Sequence, residues 1–160
     1  MGYDIYIGEA RIDGEHHDEE ITVDVGSVTL AEAPAFPNDV RSDHVNHRHP
    51  SYTGWVDWTE TVGLHSMFFD VDAGLMRAHP GTFRLLPEHL DKIAKALKKW
   101  RAAHPYAEPG WCGCMICAPM FEKHDALHVE RDGQLARLMW LEWWVRWALA
   151  NCKMPCIHNH

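Results

Sequence analysis

The sequence contains no nucleophile elbow, no phosphate-binding glycine loop and no dinucleotide fingerprint, so the common enzyme classes lose their usual sequence support. A long apolar run is missing as well. The most hydrophobic stretch, QLARLMWLEWWVRWALAN, is interrupted by Arg137, Glu142 and Arg146, which argues against a membrane span. The opening MGYDIYIGEARIDGEHH lacks the charged-then-apolar pattern of a secretion signal, and the expected location is the cytoplasm. Cations are scarce: 15 Lys and Arg stand against 23 Asp and Glu, a formal net charge of -8. Such a chain repels polyanions, which disfavours generic nucleic-acid binding. Cysteine is sparse and odd in number, five in all. Without an export signal, that count fits reduced thiols or metal ligation better than a disulfide framework.

What is present bounds the fold. The 160 residues, 46% apolar and 24% charged, suit one globular domain spanning 1–160 with a core of its own. YDIYI at 3–7 and ITVDV at 21–25 alternate polar and apolar side chains, the pattern of two half-buried strands in a hairpin. A third short strand is expected at Ser27 to Leu30. The segment AEAPAFPNDVRSDHVNHRHPSYTGW holds Pro34, Pro37 and Pro50 with little periodicity and reads as a long loop. Such a loop inside a compact domain is uncommon and tends to be either functional or mobile.

Helical spacing begins at Ser51, an N-cap residue, with Trp55, Trp58 and Val62 on one face and an end near Gly63. A second helix opens at Pro87 with Leu90, Ile93, Ala94, Leu97 and Trp100 on one side. Its other side carries Lys92, Lys95, Lys98, Lys99 and Arg101, which reads first as a solvated face. The last helix, Gln134 to Asn151, is apolar nearly all round and rich in tryptophan, so it belongs in the interior. Glu142 and Arg146 form an i,i+4 pair on it. The expected class is therefore α+β: an N-terminal antiparallel hairpin or small sheet packed on about three helices, the Trp-rich C-terminal one buried.

Two clusters suggest chemistry. In WCGCMICAPMFEKHDALH, Cys112, Cys114 and Cys117 give C-x-C-x2-C, and His124 and His128 share a face if HDALH is helical. Thiolate and imidazole are the ligands of tetrahedral zinc. Three cysteines with one of His124, His128, Cys152 or Cys156 would make a structural site. The competing reading is that these thiols are small buried apolar side chains. The second cluster is the loop RSDHVNHRHPSYTGW. Asn46, Arg48, His49, Ser51, Tyr52 and Trp55 suit recognition of a small anionic or nucleotide-like ligand, because Arg48 can grip phosphate or carboxylate bidentately and an aromatic ring can cover a planar group. A polar loop that merely caps and bridges its own backbone is an equal reading. His44, His47 and His49 also offer ligands to a hydrolytic metal.

MGYDIYIG, APAFPND, RHPSYTGW and LEWWVRWALANC together resemble small uncharacterised proteins of actinobacterial phages and actinobacteria. The cysteine run at 112–117 is not part of that resemblance. The resemblance implies a small phage-type accessory protein in the host cytoplasm, supplies no activity and transfers no catalytic residue. Joined to the residue reading, it gives a soluble, non-enzymatic protein that binds a ligand or a host protein and is stabilised by zinc. The alternatives are a metal-dependent hydrolase acting through His44, His47 and His49, and an interaction module that forms a homodimer through the Trp-rich helix.

Overall fold

The computed structural model describes residues 3–12, 19–22, 28, 32–34, 36, 48, 50–110 and 131–160. An N-terminal hairpin forms, with other bounds than the alternation at 3–7 and 21–25 predicts: β1 (Ile5–Ile12) runs antiparallel to β2 (Glu19–Thr22), with Glu9 opposite Thr22 and Ile12 opposite Glu19, so the pairing starts beyond residue 7. The expected strand at Ser27 to Leu30 falls, except for Val28, outside the described residues.

Helix α1 (Tyr52–Thr61) starts where its cap residue stands. The Ser51 Oγ accepts from the Gly54 backbone N–H at 3.1 Å, satisfying one of the donors a first turn leaves without an intrahelical partner. A Cβ at residue 54 would lie 2.7 Å from that Oγ, so glycine keeps the cap closed. The helix stops at Gly63, whose φ of 76° costs a glycine nothing. Gly63 N–H bonds to the Glu60 carbonyl and Leu64 N–H to the Thr59 carbonyl at 2.7 Å, the paired closure that absorbs a helix's last carbonyls. A short α2 (His65–Phe69) follows, then β3 (Gly81–Arg84).

Helix α3 (Pro87–Ala103) begins with proline in its first turn and buries Ile93 and His89, while its five basic residues are exposed. Two-residue strands β4 (Glu108–Pro109) and β5 (Arg131–Asp132) pair in parallel. Helix α4 (Gly133–Asn151) leads into β6 (Pro155–Asn159). The sheet has the order β2-β1-β6-β3, with every neighbouring pair antiparallel. The hairpin is thus extended by the last strand of the chain rather than by the residues that follow it. Strand β6 lies between β1 and β3 and is buried at Pro155, Cys156, Ile157 and Asn159, so it carries no alternation to reveal it.

Four helices, one of only five residues, pack with this sheet among the described residues, and the class is α+β. Helix α4 contacts α3 as well as β1 and β6, which is why its apolar residues extend around so much of its circumference. Leu138, Trp140, Leu141, Trp144, Val145 and Ala148 on α4 join Ile5, Ile7 and Ile157 of the sheet and Trp55, Trp58 and Phe68 of α1 and α2 in one core. Trp143 and Trp147 pack against it half-buried. Glu142 accepts from the Arg146 Nε at 3.1 Å and from its Nη2, so the predicted pair forms at the surface edge of α4. Among the described residues, no helix is long and apolar enough to cross a membrane.

Candidate functional site

The site begins with β1. Where β2 no longer accompanies it, the edge of β1 pairs with the segment that enters α1. Ile5 N–H donates to the Arg48 carbonyl at 2.8 Å, Arg48 N–H to the Ile5 carbonyl at 3.1 Å, and Tyr3 N–H to the Pro50 carbonyl at 2.9 Å. These bonds fix the backbone of residue 48 and bring Ser51 to the start of α1. Such pairing turns one residue of a long loop into part of a rigid element.

The Arg48 side chain runs inward. Its Cζ stands 5.7 Å from the centroid of the Phe36 ring and 5.7 Å from that of Trp140, within the range at which a guanidinium is attracted to a ring face. Phe36 stacks on Trp55 at 6.4 Å and 23° and meets Trp140 edge-on at 5.1 Å. A second guanidinium arrives from α4: the Arg137 Cζ also lies 5.7 Å from the Phe36 centroid. Two cations from different elements therefore share one phenyl ring, with Trp55 and Trp140 behind it.

The tryptophans behind that ring are under-satisfied. Trp55 and Trp140 are 1% and 0% exposed. Among the described residues their indole N–H groups have no acceptor, and neither do those of Trp58 and Trp144. Leaving such a donor buried and unpaired costs about 1–3 kcal/mol. The Gln134 Oε1, three residues before Arg137, is likewise buried without a donor among the described residues.

The loop residues separate by role. Ser51 serves as the cap of α1. Tyr52 is 49% exposed, its ring held between Tyr3 at 5.4 Å and Phe69 at 6.2 Å. Trp55 is core, touching Trp58 at 4.5 Å and Phe68 at 5.4 Å, and forms a wall rather than an exposed platform. Asn46 and His49 lie outside the described residues, as do His44 and His47. Cys112, Cys114, Cys117, His124 and His128 lie outside them too.

Of the other expected ligands, Cys152 follows α4 and Cys156 lies in β6. Burial first, then the charge and hydrogen bond of Glu9 and the neighbouring Cys156, push the Cys152 thiol up to about 11. An unmetallated Cys152 is thus a protonated thiol near neutral pH, and a poor nucleophile. Among the described residues, no group of three or more His, Cys, Asp or Glu is placed to hold a metal ion.

Sequence reasoning singled out Arg48 but missed Phe36 and Arg137 as its companions. The available signal was physical: an arginine inside an otherwise apolar helix must find a counter-charge, an aromatic face or water. Compared with known proteins, the chain matches no family model, no curated sequence and no solved structure.

Proposed function

We propose that this chain is a small phage-type accessory protein that binds a small anionic or nucleotide-like ligand and performs no chemistry on it. The observation that carries the reading is Arg48, whose backbone is locked to Ile5 while its guanidinium lies against Phe36 and Trp140. A guanidinium held in this way loses less entropy on gripping an oxyanion than one on a free loop. Tyr52, half exposed in the first turn of α1, supplies a ring to cover a planar group. Asn46 and His49 adjoin Arg48 in the chain and complete the recognition loop in this reading. Zinc bound by Cys112, Cys114 and Cys117 with His124 or His128 holds the cysteine segment.

The test is a calorimetric titration of the full chain with inorganic phosphate and with AMP. Arg48→Ala is expected to weaken binding by about tenfold or more, the size of one lost charge-assisted contact, with little change in Tm. A large fall in Tm with unchanged affinity would make Arg48 a structural residue and remove the basis of the proposal.

A further inference from the structure

We infer that the outer face of α3, with Tyr106 just beyond its end, is a binding surface for single-stranded nucleic acid, its cations meeting phosphates and the tyrosine ring stacking on a base. The surface uses none of the residues of the Arg48 reading and goes beyond it.

Charge is segregated on this helix. Helix α3 holds five of the chain's 15 cations and two of its 23 acids, which leaves ten cations against 21 acids elsewhere. Both acids, Glu88 and Asp91, stand near its start, and from Lys92 to Ala107 the sequence has none. Lys92, Lys95, Lys98, Lys99 and Arg101 are all exposed. Among the described residues none of the five makes a hydrogen bond or an ion pair. Lys95 stands three and four residues from Lys98 and Lys99, and Lys98 stands three from Arg101, spacings at which like charges disfavour a helix. The helix dipole favours cations only in the last turn, where Arg101 alone lies. The fold thus carries a repulsion that a row of anions on this face would relieve.

The occupant follows from shape. All five side chains are in water, so one small anion gains little there against screening, whereas a polymer sums several contacts and releases a counterion at each. A lipid surface is a plane and would bring the acidic remainder of the chain into its negative field. A single strand can follow a face about 13 Å long, from Lys92 to Arg101. Tyr106 selects the single strand over a duplex. It is 95% exposed, in a turn closed by the Ala107 N–H on the His104 carbonyl at 3.2 Å. The His104 ring stacks on Trp100 at 4.3 Å, which ties that turn to α3. Unstacked bases can lie on such a ring, while those of a duplex are already stacked on one another. The net charge of -8 opposes adsorption over the rest of the molecule and confines binding to this face.

The probe is a fluorescein-labelled oligothymidylate of about 15 nucleotides, long enough to cover the face, titrated with the full chain and followed by fluorescence anisotropy at several salt concentrations. The logarithm of the binding constant is expected to fall with that of salt at a slope of about -2 or steeper, as three or more phosphate contacts require. Lys98→Ala makes the slope shallower by about 0.7. Tyr106→Ala weakens binding about fivefold or more, and Tyr106→Phe, which keeps the ring, binds like the wild type. These substitutions change exposed side chains and leave Tm nearly unchanged. No binding at low salt would overturn the inference, and so would a salt slope that Lys98→Ala does not alter. A duplex bound as tightly as the single strand, with Tyr106→Ala equal to the wild type, would overturn the single-strand assignment. Binding to phosphatidylserine vesicles in the absence of oligonucleotide binding would replace the inference with a membrane surface.

Discussion

His89 shows how much one side chain can decide. It lies in the first turn of α3, only 7% exposed, and its Nδ1 accepts from the Leu86 N–H at 2.9 Å while its own N–H donates to the Leu86 carbonyl at 3.0 Å. Accepting through Nδ1 requires a lone pair there, so the imidazole at this cap is held neutral at that nitrogen. Burial pushes its pKa below the usual histidine value, Lys92 acts in the same sense, and Glu88 opposes them. In the unfolded chain the ring takes up a proton below about pH 6.5, whereas in the folded protein it resists. The stabilisation is therefore complete above about pH 6.5 and is lost as the pH falls through the lowered folded value. Urea melts at pH 7 and pH 5 are expected to show a smaller acid loss for His89→Gln than for the wild type. An identical loss in both would mean that other groups govern the acid response. Proline at the first position announces this helix in the sequence, but the histidine that closes its cap is not legible there, since a lone His in a charged first turn looks solvated.

At the scale of elements, the joint between α3 and α4 rests on Asp132. Its Oδ1 accepts from the N–H groups of Gln134 and Leu135 at 2.9 and 3.0 Å, capping α4, while its Oδ2 accepts from the Trp100 Nε1 of α3 at 2.7 Å. Asp132→Ala removes a cap and leaves a half-buried indole donor unpaired, a combined loss of about 2–3 kcal/mol, or a fall in Tm of very roughly 5–10 °C for a chain of this size. Differential scanning calorimetry measures it, and a change within about 2 °C would show that water replaces both contacts. Asp132→Asn keeps an oxygen for the cap and is expected to fall between the two. The start of α4 was legible to within a residue, because its apolar content rises abruptly after RDG. The partnership of Asp132 with Trp100, 32 residues earlier, was not, because nothing local signals a contact made by tertiary packing.

For the molecule as a whole, net charge and local charge give different guidance. A chain of net charge -8 repels polyanions at long range, yet salt screens exposed charges beyond about 8 Å at physiological ionic strength. Net charge therefore leaves the local environment of a site to decide whether a small anion binds there. The cysteine reading is tested on the whole protein too. Elemental analysis is expected to find about one zinc per chain, with three or four thiols protected from titration until a chelator removes it. Release of thiols on chelation is the informative step, since Cys152 titrates slowly in the folded protein whether or not metal is bound, its thiol being pushed up to about 11. Absence of metal, with five thiols titrating only after unfolding, would make the cysteines buried apolar side chains.

The amino-acid pattern alone determined that an N-terminal hairpin forms, though not which residues pair in it, and also the starts of α1 and α3, the buried α4 and the α+β class, since each follows from local periodicity, a cap residue or a proline within one element. It also marked Arg48. Only the tertiary structure decided that β6 is the inner strand between β1 and β3, because a short strand buried on both faces has no alternation, and its partners lie more than seventy residues away in the chain. Only the tertiary structure brought Arg137 to Phe36 and Arg48, since that meeting depends on α4 packing against the strand that also holds the loop before α1. Spacing along a helix or strand is a local property that a sequence displays directly. A site assembled from three separate segments is set by how their apolar faces pack together.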